Sequence, residues 1–264
     1  MVLYHCGVIF LEYLNFKTLI ILCPLLFFAG FVDSIGGGGG LISLPAFLFA
    51  GLPVHTAIGT NKLQSTFGTF ISTFRFIRHG YVSFKLIIPS IITAFIGSAL
   101  GSRLTLFFSE KQLSYIMIVV LPISALLVLN KKLFNVDLEQ KITYNRKTYI
   151  TTSISSLIIG CYDGFYGPGT GTFLILAFTI LAKMNAVSAN ANAKVINLTT
   201  NFASLIVFLL SGKTIMALGL IGALFNMAGN YVGSGFVIAD AQKIMRPVII
   251  FVLLLLTIKI IGGF

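Results

Sequence analysis

The chain has 264 residues, 57% of them hydrophobic and 9% charged, against about 25% charged in an ordinary soluble domain. That is too little charge to clothe a water-soluble core of this length, so a soluble globule is excluded and the bilayer is the expected solvent. The net charge of +11 does not indicate nucleic-acid binding, because the basic residues gather in short gaps between apolar runs: Arg75, Arg78 and Lys85, then Lys131, Lys132, Lys141, Arg146 and Lys147. This positive-inside pattern orients a multi-pass protein in a bacterial-type cell inner membrane.

In chain order, residues 1–17 form an N-terminal segment that carries Glu12 and lacks the basic start and small-residue cleavage site of a signal peptide. Apolar runs long enough to span about 30 Å of hydrocarbon follow at residues 18–35, 55–76, 84–106 and 112–130, and again at 148–165, 188–211, 213–237 and 246–261. Between the first and second member of each set lies a shorter apolar piece, 41–52 and 172–182, too short to span as a straight helix.

The two sets align residue by residue. Gly30 and Asp33 match Gly160 and Asp163 at a spacing of 130; after a two-residue insertion, Lys62 matches Lys194, Gly80 matches Gly212, and Gly97 and Gly101 match Gly229 and Gly233 at 132. The sequence therefore predicts an all-α polytopic membrane protein of two homologous halves, 18–130 and 148–264, joined by a cytoplasmic basic linker at 131–147. Each half has about four transmembrane helices plus a short re-entrant or broken helix. If the short pieces are re-entrant, about eight spans follow, with parallel repeats and both termini inside. If they cross, about ten spans follow, with inverted repeats and both termini outside. The length of the short pieces favours eight.

Three features could carry chemistry. Glycine-rich breaks, Gly36 to Gly40 with Gly37, Gly38, Gly39 and Gly40 at its turn, and Gly167-Pro168-Gly169-Thr170-Gly171, precede the short pieces. A half-helix starting there aims unpaired N–H groups and the positive end of its dipole into the membrane interior, although glycines also serve close helix packing. A polar stripe, Lys62, Ser65, Thr69 and Ser72, recurs at helical spacing beside Asn61. Its mates are Lys194, Asn197, Asn201 and Ser204. Small polar residues often only bond helices together, which accounts for Ser72 and Ser204 better than for the lysines. The intramembrane charges Asp33, Asp163, Lys62 and Lys194 each cost at least about 2.5 kcal/mol at the bilayer centre, so they are expected to pair or to face a pathway. The nearest partners are Lys62 for Asp33 and Lys194 for Asp163, as coupling or structural ion pairs.

Cys6, Cys23 and Cys161 lack metal or disulfide spacing, and His5, His55 and His79 have no ligand spacing, so no metal or cofactor is expected. No catalytic constellation is present, and an enzyme is not expected. With their spacing, the stretches Gly30 to Gly40, Gly59 to Gly68, Tyr162 to Gly171 and Ala193 to Asn197 resemble the TauE/SafE family of membrane transporters, also described as sulfite exporters. The resemblance covers nearly the whole chain and implies substrates such as sulfite, sulfonates and related sulfur-containing anions. The expected function is a secondary transporter of a small anion, worked by alternating access at a site between the repeats. The alternatives are an anion channel and a membrane scaffold or assembly protein. The expected partners are the anion and the lipid bilayer, with a homo-oligomer left open.

Overall fold

The structure, a computed structural model, describes residues 15–116 and 145–261, with side chains of the last helix described as far as Ala239. Most of segments 1–17, 112–130 and 131–147 lie outside the described residues. Within them run α1 (Phe16–Gly36), α2 (Gly40–Phe49), α3 (Val54–Arg78), α4 (Phe84–Phe107), α5 (Arg146–Phe165), α6 (Thr170–Ile180), α7 (Ala186–Leu210) and α8 (Met216–Ile261). Four segments are long and apolar enough to cross a membrane: α1, α4, α7 and Met216–Ala239 of α8. Helices α3 and α5 are also long, at 25 and 20 residues, but they carry polar residues on their buried faces, such as Asn61, Gln64 and Thr69 on α3 and Thr152 and Ser156 on α5. Large apolar side chains such as Phe28, Phe70, Ile92 and Ile158 point outward, as lipid-facing residues do. The chain is a multi-pass membrane protein.

Local chemistry sets the helix ends. Asn15 and Asn145, at the spacing of 130, cap α1 and α5, accepting from the backbone N–H groups of Thr18 and Thr148 at 2.7 and 2.8 Å. Asn185 does the same for α7 through Ser188. Pro53 at the start of α3 has no such oxygen, and Glu110 substitutes, its Oε2 accepting from Val54 N at 2.6 Å. Gly80 and Gly212 end α3 and α7 in the left-handed region, φ 72° and 65°, a helix-terminating conformation in which a Cβ is strained.

The tight packing is glycine against carbonyl. A Cβ at Gly30 would lie 2.2 Å from Asn226 O, at Gly229 2.0 Å from Phe27 O, and at Gly233 2.5 Å from Phe31 O. The matching positions repeat this elsewhere: Gly160 against Ala94 O, Gly97 against Leu157 O and Gly101 against Cys161 O, at 2.9, 2.3 and 2.0 Å. Small residues every fourth position let membrane helices approach this closely. As a result, α1 packs on α8 and α5 on α4, each pair formed across the two halves. Each pair runs parallel, since contacts advance together along both helices. Helix α3 also runs parallel to α8, bonding Ile215 N through Thr60 Oγ1 at 3.0 Å and clamping it through Arg75, which donates to Tyr231 O and stacks over the Tyr231 ring. Helix α7 runs parallel to α4, with Ser98 Oγ donating to Thr200 O at 2.6 Å and Ser102 Oγ 2.6 Å from Ser204 Oγ.

Two swapped bundles result, α1, α2, α3 and α8 in one and α4, α5, α6 and α7 in the other. Because residues 79–83 turn α3 back into α4, the first helices of the two halves, α1 and α5, point in opposite directions. The parallel arrangement attached to the eight-span expectation does not fit these directions. Periodicity shows which face of a helix is buried and carries no sign for its direction. The short helices double back: α2 begins beside Asp33 of α1, where a Cβ on Gly39 would lie 2.6 Å from Asp33 Cβ, and returns so that Phe47 and Leu52 share a core with Leu22 and Leu26. A second difference concerns residues 213–237 and 246–261, expected as separate spans, which form one continuous helical backbone in α8.

Substituting Gly101 by Ala should push α4 off α5 and destabilise the protein by about 1–3 kcal/mol. At Gly212, where no atom lies within 4 Å of an added Cβ, Ala should cost only the left-handed backbone strain, about 1 kcal/mol. Melting of the two detergent-solubilised variants measures the difference.

Candidate functional site

The glycine breaks bring α1–α2 and α5–α6 together between the bundles. Gly37, at φ 77°, abuts Gly171 so closely that a Cβ on it would sit 2.3 Å from Gly171 C. Gly37 O accepts from Thr172 N at 3.1 Å, and Thr172 Oγ1 donates to Gly36 O at 2.8 Å. Gly40 faces Pro168, and Gly167 and Gly169 hold φ 102° and 87°. Only glycine satisfies both the close approach and the positive φ at low cost.

Behind this junction is a small polar cavity. Gly37, Gly39 and Gly40, with Asn61, Lys62, Ser65 and Thr69, line it from the first bundle; Gly167, Gly169, Thr170 and Gly171, with Asn197 and Asn201, line it from the second. Asp33 and Asp163 complete the predicted residues found there. Gly38 and Lys194 are not on its wall; Gly38 lies in the turn, its carbonyl accepting from Leu41 N. Helices α2 and α6 begin beside this space, at Gly40 and Thr170, where helix ends favour negative charge; the N–H groups of Leu41, Ile42, Thr170 and Thr172 themselves bond the carbonyls of Gly38, Gly39, Gly167 and Gly37.

The charges pair differently from the expectation. Lys62 Nζ lies 2.7 Å from Asp163 Oδ2 and Lys194 Nζ lies 2.7 Å from Asp33 Oδ2, with all four groups buried. Each lysine takes the aspartate of the opposite half. The physical reason lies at the bundle interface: the α5–α6 break comes up against Lys62 of α3, and the end of α1 lies against α7 through Ser34 and Ile35. Both ion pairs therefore bridge the bundles. Asn190 adds to the bridge, donating from Nδ2 to Ser34 O and Ile35 O at 3.1 and 3.2 Å.

Asn226 also lines the cavity, donating to Leu26 O and lying against Gly68. It was not predicted, because its match at 132 is Ala94 and the repeat gave no signal; an isolated amide within an apolar span was the available clue. His55, which has no ligand spacing with another histidine, binds Glu110 through Nδ1 at 2.6 Å and lies 3.2 Å from Thr105 O through Nε2, at one end of the bundle interface and away from the cavity. His79 is exposed, as expected of a solvated loop histidine. Among the described residues, no group of His, Cys, Asp or Glu has the arrangement of a metal site.

Comparison with known proteins matches residues 22–260 to the family described as Sulfite exporter TauE/SafE. The chain is 36% identical over 256 residues to the "Probable membrane transporter protein YfcA" of Escherichia coli, covering 94% of each chain. It is 34% identical over 250 residues to the "Probable membrane transporter protein ORF9" of a Sinorhizobium species, again with 94% of each covered. A "Probable membrane transporter protein" of Haemophilus influenzae is 34% identical over 239 residues, covering 89% of this chain and 91% of its own. No solved structure matches.

Proposed function

Because this chain belongs to the TauE/SafE family of membrane transporters, we propose that it is a secondary transporter of a small anion, a sulfur-containing oxyanion such as sulfite or an organosulfonate, in the bacterial inner membrane. The observation that carries the reading is the cavity itself, walled by both glycine breaks and by Lys62, Asp163 and Asp33 of the two ion pairs that join the bundles. An anion leaving water needs compensating charge, and each helix N-terminus supplies only about half an elementary charge. A lysine within the cavity completes the balance. Alternating access then follows from rocking one swapped bundle against the other, which opens the cavity to each side in turn. The two halves are inverted repeats in this reading, related across the membrane plane. Proton uptake by an aspartate released from its lysine is the coupling step that fits a buried pair.

Sulfite counterflow in proteoliposomes tests the reading. Accumulation of labelled sulfite against its gradient, driven by unlabelled sulfite on the other side, supports a carrier. Passive equilibration without counterflow would identify a channel.

The orientation gives a separate prediction. Loop 79–83 and linker 131–147 face the cytoplasm, and the opposite ends near Ser109 face outward. A thiol reagent that cannot cross the membrane should label Ser109→Cys in intact cells and should miss His79→Cys. The reverse result inverts the topology.

A further inference from the structure

The two ion pairs occupy matching positions but differ in their surroundings. Lys62 lines the cavity and Lys194 does not. Lys194 Nζ donates a directed hydrogen bond to Asp33 Oδ2 at 2.7 Å, and its neighbours Ala193, Val195 and Ile196 are buried and apolar. Lys62 likewise lies 2.7 Å from Asp163 Oδ2, and its ammonium also donates to Asn201 Oδ1 at 3.1 Å. The residues around Lys62 are polar: Asn61, Gln64 and Ser65, where the second half has Ala193, Ile196 and Asn197. The backbone differs as well. The α5–α6 break comes up against Lys62, since a Cβ on Gly167 would lie 3.1 Å from both Lys62 Nζ and Asp163 Oδ1, whereas the matching Gly37 meets only the backbone of Gly171 and Thr172.

We propose that the two pairs have divided the work: Lys62 is the one lysine that contacts the anion, and Lys194 stays on Asp33 as a permanent tie between the bundles. This rests on reading the cavity as an anion site. The Lys62 ammonium has three N–H donors, of which Asp163 and Asn201 take two; it stands on the cavity wall, so the third is available to an entering oxyanion, and Asn201 and Ser65 are placed to accompany it. Lys194 is off that wall and bonds Asp33, which is on it.

The test measures sulfite-dependent thermal stabilisation of the purified protein, since a ligand that binds the folded state raises its melting temperature. Paired neutralisations keep each variant free of an orphaned buried charge. Lys62→Met/Asp163→Asn should weaken sulfite binding by about 30-fold or more, the loss expected for a charge-assisted contact in a desolvated site. Lys194→Met/Asp33→Asn, which alters the cavity wall at Asp33 alone, should weaken it at least about fivefold less than the first pair does while lowering the melting temperature in the absence of sulfite. Lys62→Arg, which keeps the charge, should recover most of the binding. Equal weakening by the two double variants, or sulfite binding that survives loss of Lys62, overturns the division of labour. If the unaltered protein is stabilised neither by sulfite nor by methanesulfonate, the anion reading itself fails, and this inference with it.

Discussion

Lys62→Met should lower the stability of the solubilised protein by about 3–5 kcal/mol, and adding Asp163→Asn should restore most of it while Asp33→Asn should not. Removing one member of a buried ion pair leaves the other charge desolvated and uncompensated, which is the costly event; removing both leaves neutral groups of similar shape. Asp163 is almost fully enclosed once Lys62 covers it, with side-chain exposure of only 3%, so water cannot readily replace the lost ammonium. The rescue pattern reports the partner directly. Rescue by Asp33→Asn would restore the pairing within each half and would contradict the ion pairs between the bundles. A double-mutant cycle with melting temperature as the readout separates the outcomes, because residues in direct contact couple and distant ones add.

That partner was the part of the site hidden in the sequence. The duplication makes Asp33 equivalent to Asp163 and Lys62 equivalent to Lys194, so pairing within halves and pairing across them satisfy the pattern equally. The shorter chain separation favoured the first. The choice between them depends on which helices of different halves face each other across the bundle interface, and that is set where Gly37 meets Gly171 and where Gly167 comes up against Lys62. The glycines were visible as matched positions, but a glycine in a sequence does not name the backbone it touches. The breaks at Gly36 to Gly40 and Gly167 to Gly171 were legible because few other roles explain paired glycine clusters between apolar runs, and they meet in the structure through Gly37 and Gly171. The polar stripe was legible for the same reason that hydrophobic faces are: residues at spacings of three and four share one side of a helix. Asn226 was hidden because it breaks the repeat, and the directions of the halves because a helical face looks the same read either way.

Joining the bundles covalently should stop transport, and joining helices within one bundle should not. A Cβ on Gly40 lies 3.3 Å from Pro168 Cα across the bundle interface, so Gly40→Cys with Pro168→Cys falls within reach of a disulfide. Ser102 and Ser204, whose hydroxyl oxygens are 2.6 Å apart, both belong to the second bundle, and cysteines there are equally close. If the bundles move as rigid units, the first disulfide fixes the cavity in one state and should reduce sulfite flux in proteoliposomes by about 100-fold or more, with recovery on reduction. The second spans an interface that stays packed throughout the cycle and should leave flux within about twofold. The contrast follows from where the close contacts lie: within each bundle the glycine-to-carbonyl packing is so close that an added Cβ would lie 2.0–2.9 Å from the facing oxygen, and it resists sliding because close-packed interfaces deform in steps and not continuously. The interface between bundles carries the ion pairs, a few backbone bonds and the apolar cluster of Ile35, Phe76 and Ala191, and the Lys62–Asp163 pair at the cavity can exchange partners as an anion arrives. Flux that persists with Gly40 and Pro168 cross-linked would show that the glycine junction stays closed during transport. Loss of flux with Ser102 and Ser204 cross-linked would place the motion inside a bundle, and the sequence halves would then be the better description of the moving parts.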